Sequence, residues 1–209
     1  MNEADPRVKR TRKLLRDAFS ELLAEKSFHA ISVQDIAERA TVNRATFYAH
    51  FEDKYALLDQ FVGESFREEL LRALPPSAPF SVGNLRQLIV TVLDSLAWFH
   101  DHCKMAHHDI AQLIEARVQR ELHDYLLGWF RTLPPRDGGR AVALERAAAL
   151  VSWTIFGAGV EWGRDGERTS SETMAGDVLD LVLGGLWRVA HLPEGAQRER
   201  PRPATLVGT

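Results

Sequence analysis

The sequence predicts an all-α protein in two parts, and three observations carry that expectation. Apolar residues recur at helical spacing almost throughout, from Leu14, Leu15, Ala18, Phe19, Leu22 and Leu23 to Val178, Leu179, Leu181, Val182, Leu183 and Leu186. No stretch of useful length alternates apolar and polar residues as a half-buried strand would. The segment Leu74 to Ser81 (LPPSAPFS) divides the chain, because Pro75, Pro76 and Pro79 cannot continue a helix. The first part is expected over residues 1–63, with its last helix running on to about 73, and the second over 80–192. Residues 193–209, rich in Pro, Gly and Arg, read as a disordered tail.

Bulk properties narrow the function classes. With 45% hydrophobic residues in 209, the chain has the material for a real core. Its formal net charge of −3 argues against wholesale electrostatic binding to nucleic acid, so any such affinity has to come from a local patch. The single cysteine, Cys103, excludes an internal disulfide and fits a reducing, cytoplasmic setting. The N-terminus is charged and has no apolar stretch of the signal-peptide kind. The longest uncharged run, Ala147 to Val160, is too short to span a bilayer, so no membrane partner is expected.

The elements follow in order. Residues 1–6 read as a disordered arm. Arg7 to Arg16 (RVKRTRKLLR) holds six basic residues and no acidic one, and leads into a helix that ends near Lys26. Ser32 is an N-cap with Asp35 three residues on, as in a capping box, and Val33, Ile36, Ala37 and Ala40 share one helical face. The pattern breaks at Ala40-Thr41-Val42, and Asn43 caps a second short helix, Arg44 to His50. Phe47 and Phe51, four apart, point into the same core as Ile36, which leaves Arg44, Ala45, Thr46, Tyr48 and His50 facing outward. Two short helices around a tight turn, the second opening with Arg and Thr, match a helix-turn-helix whose second helix enters the DNA major groove.

A helix from Glu52 to Ala73 follows, with Tyr55, Leu58, Phe61, Val62, Phe66 and Leu70 as its buried stripe. Ser81 caps a helix from Val82 to about His102, and a break is expected near Lys104 to Ala106. Further helices are expected over Ile110–Thr132, Arg140–Arg164 and Thr173–His191. Gly157, Gly159 and Gly163 are costly in a helix interior, and close approach of another backbone would rationalise them. Gly184 and Gly185 invite tight packing in the same way.

Over residues 8–63 the chain closely resembles the TetR family of bacterial transcriptional repressors. The matching residues are Val33, Ile36, Ala37, Ala40, Val42, Thr46, Tyr48, His50, Phe51, Lys54 and Leu57, each at the family spacing. The chain departs from the family at Thr41, where glycine is frequent. A turn that needs positive φ suits glycine and suits a β-branched residue poorly.

The resemblance implies a three-helix helix-turn-helix domain at the N-terminus, followed by a helical ligand-binding and dimerisation domain. Arg44 has the donors for a bidentate contact to guanine, and Thr46 has a methyl for thymine. The resemblance assigns phosphate contact to Tyr48 and Lys54 in particular, and His50 is read the same way. Arg7 and Arg10 read as a phosphate-contacting arm beside the reading helix, and Ala45 and Ser32 complete the expected DNA-binding set.

Further expectations concern the second part. The resemblance implies a homodimer through the last two helices, expected at Phe156, Gly159, Val160, Gly163, Leu179, Val182, Leu183 and Leu186. A two-fold dimer sets its recognition helices one DNA turn apart, about 34–36 Å, on a palindromic operator in double-stranded DNA. The resemblance also implies a small-molecule effector, largely apolar. Its expected lining is Trp98, Trp129, Trp153 and Phe156, with His102, Met105, Gln112 and Tyr125 as polar or adaptable neighbours. Such a ligand acts by favouring a separation of the paired reading helices that misfits DNA, with the helix from Glu52 to Ala73 as lever.

Residues 99–109 (FHDHCKMAHHD) gather four histidines beside Cys103 and Asp109. Their spacing matches no closed zinc motif, so they read as a polar corner and no bound metal or cofactor is expected. A metal-responsive regulator built on His100 to Asp109 is the alternative reading, with a metal-dependent enzyme after it. The sequence shows no nucleophile elbow, glycine-rich phosphate loop or H-E-x-x-H to support an enzyme.

Overall fold

The computed structural model describes residues 5–75, 77–102, 108–133, 141–164 and 169–186, with only the backbone at 100–102, 108–109 and 141–143. Helices α1 (Pro6–Glu25), α2 (Val33–Arg39), α3 (Arg44–Tyr48), α4 (Lys54–Ala73), α5 (Val82–His102), α6 (His108–Phe130), α7 (Ala141–Arg164) and α8 (Ser171–Leu186) follow one another. A single 3-10 turn, Phe28–Ala30, lies between α1 and α2, and the described residues include no strand. Two compact units result, Met1–Ser65 with His102–Arg117, and Phe66–Asp101 with Val118–Thr209. The break expected near Lys104 to Ala106, the end of the last helix expected to reach His191 and the tail expected over 193–209 lie outside the described residues.

Local chemistry sets the helix starts. Asp5 and Pro6 were expected in a disordered arm, but they begin α1. The Asp5 carboxylate accepts the Arg7 N–H at 2.8 Å, and Pro6 sits in the first turn, where its missing N–H costs nothing. Asp53 accepts the Ala56 N–H at 2.8 Å, which is why α4 starts at Lys54 and not at Glu52. Ser81 receives the Asn84 N–H at 3.0 Å and starts α5 as expected.

The first unit is organised around Phe19, which is fully buried and stands edge-on to Phe28 at 6.1 Å and to Phe61 at 5.6 Å. Leu15, Leu22, Ile31, Ile36, Phe47, Leu57 and Val62 close the core around it. Tyr55, expected in the buried stripe of α4, is partly exposed with its ring 5.1 Å from Phe28. The start of α6 docks on α4 where Gly63 leaves room. An added Cβ there would lie 2.1 Å from Arg117 Nε, and the Arg117 guanidinium donates to Asp59 at 2.9 Å.

In the second unit, α5 and α7 approach closely. A Cβ on Gly159 would lie 2.6 Å from Leu96 Cδ1, and one on Gly163 would lie 3.8 Å from the Ala97 backbone. The close approach expected of these glycines is therefore met by α5 of the same chain. Gly157, Gly184 and Gly185 differ, since nothing lies within 4 Å of an added Cβ. Arg67 on α4 holds the buried carboxylate of Glu121 on α6 through a forked contact, Nε at 3.0 Å and Nη2 at 2.7 Å.

Candidate nucleic-acid interface

The turn between α2 and α3 determines which residues face outward. At the end of α2 the Thr41 N–H donates to the Glu38 carbonyl at 3.0 Å and the Val42 N–H to the Ala37 carbonyl at 2.9 Å. This pair of bonds is a Schellman closure, which requires left-handed backbone at the residue between. That residue is Thr41, with φ of 56°, so the turn keeps the geometry that usually selects glycine and bears the cost of a β-branched side chain. Thr41→Gly removes that cost and adds a smaller entropic one. It is expected to stabilise the protein by about 1 kcal/mol, seen as a rise of about 2–4 °C in the thermal midpoint. An unchanged or lower midpoint would show that the turn is relaxed with threonine.

Caps fix the two helices on either side of this turn. The Ser32 hydroxyl oxygen accepts the Asp35 N–H at 3.1 Å, and the Asp35 carboxylate accepts the Ser32 N–H at 2.7 Å and its O–H at 2.8 Å. The Ser32 N–H, then the Lys26 ammonium and the Ser32 O–H, lower the Asp35 pKa to about 2. Ser32, expected at the DNA, has thus committed its hydroxyl to the capping box. Asn43 Oδ1 accepts both the N–H and the O–H of Thr46, at 2.7 and 2.9 Å. The Thr46 donor is therefore committed, leaving the methyl and the oxygen lone pairs.

On the outer face of α3, Arg44, Ala45 and Tyr48 are exposed, and Phe47 alone points inward at 0% exposure. The Arg44 guanidinium lies 5.9 Å from the Tyr48 ring centroid, and its Nη2 is 3.5 Å from the Tyr48 hydroxyl. Tyr48 is 50% exposed, so a large amphipathic side chain stands free beside a cation. His50 is half-buried next to Arg12. Burial first, and the Arg12 charge second, hold its imidazole below the usual value, so it is neutral at pH 7. Arg7 and Arg10 are exposed on the first turns of α1.

Lys54, expected at a DNA phosphate, opens α4 and makes contacts within the chain. Its ammonium donates to the carbonyls of Phe28 at 3.1 Å, His29 at 3.3 Å and Ile31 at 2.7 Å, and lies 4.6 Å from the Phe28 ring centroid. No feature of the sequence near Lys54 pointed to these partners, which lie 23–26 residues earlier.

The residues expected to line a ligand pocket differ widely in burial within the chain. Trp98 is 52% exposed and Trp153 is 59% exposed, and Gln112 is exposed as well. Tyr125 and Trp129 staple the proline-rich loop instead: the Tyr125 hydroxyl donates to the Leu74 carbonyl at 3.3 Å and Trp129 Nε1 to Ala78 at 2.9 Å. Burial raises the Tyr125 pKa. Phe156 is buried, and the side chains of His102 and Met105 lie outside the described residues. So do the side chains of His100 to Asp109, and among the described residues no three His, Cys, Asp or Glu are grouped to hold a metal.

The residues expected at a dimer interface are buried or half-buried in the single chain. Phe156, Gly159, Gly163, Leu179, Val182, Leu183 and Leu186 are buried within the chain itself, and Val160 is half-buried. The uncovered stripe on α7 and α8 is another set: Leu150 at 70% exposure, Trp153, Leu181 at 73%, and the open glycines 157, 184 and 185.

A capped short helix, a left-handed turn and a second short helix with one buried phenylalanine and an exposed Arg-Tyr pair together define a helix-turn-helix DNA-binding module. Residues 15–61 match the family model for bacterial regulatory proteins of the tetR family. The HTH-type transcriptional repressor KstR2 of Rhodococcus jostii (strain RHA1) is 25% identical over 184 residues, covering 82% of this chain and 89% of that protein. The uncharacterized HTH-type transcriptional regulator YxbF of Bacillus subtilis (strain 168) is 35% identical over 98 residues. That match spans 46% of this chain and only 26% of the relative. The fold is shared with FadR of Thermus thermophilus, a TetR family transcriptional repressor solved with lauroyl-CoA, at a TM-score of 0.57 and 20% identity. The overlap covers 88% of this chain and 96% of that one. The match over residues 15–61 and the likeness to KstR2 over most of the chain make this protein similar to the TetR family of bacterial transcriptional regulators. Among the described residues no helix is long and apolar enough to cross a membrane.

Proposed function

We propose that this regulator is a cytoplasmic homodimeric repressor that reads a palindromic operator through α3. It leaves the operator when a largely apolar small molecule binds its second unit. The observation that carries the reading is the outer face of α3, where Arg44 and Tyr48 stand exposed on a helix that Phe47 fixes to the core. Arg44 reads a base edge, Thr46 offers its methyl, and Tyr48, His50, Arg7 and Arg10 set the register on phosphates.

The repressor sense is supported by KstR2, and the ligand class by the lauroyl-CoA held by the FadR of Thermus thermophilus. A ligand shifts the equilibrium only by its differential affinity for the DNA-fitting and misfitting states. The homodimer is supported by the uncovered stripe of Leu150, Trp153 and Leu181 with Gly157, Gly184 and Gly185. Glycine inside a helix costs about 0.5–1 kcal/mol relative to alanine, and a second copy packed against bare backbone offsets that cost.

The test is anisotropy on an operator selected from random duplexes, at several salt concentrations. Arg44→Ala is expected to lose about 1–3 kcal/mol of discrimination at one base position per half-site, and Tyr48→Phe to weaken all sequences alike. Unchanged affinity and selectivity in both variants would sink the assignment of α3.

A further inference from the structure

We propose that Lys54 is a positioning residue, gathering three backbone carbonyls ahead of α2 to orient the reading helix, and that it does not bind DNA phosphate. An ammonium has three N–H donors and no more. Here all three meet carbonyls, at Phe28, His29 and Ile31, between 2.7 and 3.3 Å. A phosphate oxygen would have to displace one of them.

The three acceptors are not arbitrary. They cluster at the end of the 3-10 turn Phe28–Ala30, where helical carbonyls lack partners of their own. The Phe28 carbonyl already accepts the Ile31 N–H at 3.1 Å, so the lysine adds a second bond to the same oxygen. Ile31, whose carbonyl makes the shortest of the three bonds, is buried and directly precedes Ser32, the cap of α2. The ammonium of Lys54 lies over the ring of Phe28, which packs on Phe19 of α1 and on Tyr55 of α4. One cation therefore ties the start of α4 to the turn that delivers the chain into α2, and through α2 to α3. Burial lowers the Lys54 pKa, and the nearby Asp35 carboxylate, itself paired with Lys26 at 3.0 Å, acts to raise it.

The inference rests on α3 as the DNA-reading element, and wild-type binding to its selected operator is the control that separates the two. If wild type binds no selected duplex, the reading role fails. If wild type binds and the variants depart from the pattern below, this inference fails alone.

Lys54→Met keeps the length and apolar stem and removes the donors. It is expected to weaken operator binding at least tenfold, to leave random-duplex binding within twofold, and to leave the slope of log affinity against log salt unchanged. Lys54→Arg restores the charge but offers a flat fork where three carbonyls converge, so it should lose operator affinity in the same way. A slope smaller by about one ion per subunit in Lys54→Met, with rescue by Lys54→Arg, would identify a phosphate contact and overturn the proposal. An equal loss on operator and random duplex at unchanged slope would mark a smaller folded fraction and overturn it too. So would unchanged affinity throughout.

Discussion

If the proposed homodimer forms through this stripe, Trp153→Asp is expected to convert it to a monomer and to weaken operator binding about 10²–10⁴-fold, while the helical content stays intact. In a single chain Trp153 is 59% exposed and flanked on its stripe by Leu150 and by Gly157. A polar substitution on a true surface changes stability by only about 0.5 kcal/mol, so the fold itself has little to lose. At the centre of an interface the same change removes an aromatic anchor and leaves a carboxylate without water or partner, a loss of several kcal/mol. The effect on DNA follows from geometry. Two linked reading helices make the second half-site an intramolecular event, and a monomer forfeits that effective concentration. Light scattering after size exclusion, together with anisotropy on the operator, reads both parts. A dimer that survives the substitution would move the interface off this stripe.

Phe47→Ala is expected to cost about 3–5 kcal/mol, the range for truncating a buried aromatic residue. α3 has five residues, too few to stand alone in water, so its order comes from packing. Phe47 is the one α3 side chain that is buried, at 0% exposure, with its ring 5.7 Å from Phe51. Removing it takes a large share of a total stability on the order of 5–15 kcal/mol. Operator and random-duplex binding should fall together, because the helix that carries Arg44 and Tyr48 loses its seat. Urea unfolding followed by circular dichroism measures the cost. A loss below about 1 kcal/mol would mean that the caps at Ser32 and Asn43 hold the element without the core.

The helix-turn-helix was legible in the sequence because its determinants are local. Ser32 and Asp35 lie three residues apart, Asn43 sits three before Thr46, and Phe47 and Phe51 lie four apart. Each of these spacings is a hydrogen bond or ring contact in the structure. The turn at Thr41 was legible as a question, and the backbone answers with φ of 56°. What the sequence hid is non-local. α7 is apolar on several faces, so periodicity alone does not say which face meets α5 and which stays open. Gly157 and Gly159 are indistinguishable as letters, yet one faces empty space and the other meets Leu96. The tryptophans and Tyr125 looked like pocket lining because aromatic residues suit pockets. Trp129 and Tyr125 turn out to hold a loop through their polar tips, a partnership across 51 residues. The carbonyl partners of Lys54 were hidden for the same reason, because they belong to a turn before α2.

Arg39 has a consequence for the arm of α1. It bridges from α2 to Glu25 and Glu21 of α1, at 2.8 and 3.2 Å, while Lys26 at the end of α1 meets Asp35 of α2 at 3.0 Å. Exposed pairs of this kind contribute little stability singly, but five charges clasp two helices here at the end opposite the basic turns. Arg7 and Arg10 ride on the same uninterrupted helix as Glu21 and Glu25. The arm and the reading helix are therefore cut from one stencil: on the proposed function, wherever α3 settled in a groove, the positive turns of α1 would arrive at a set distance along the duplex. Selection among DNA sites would then include the curvature of the sugar-phosphate rail between those two points, which bases outside the groove control.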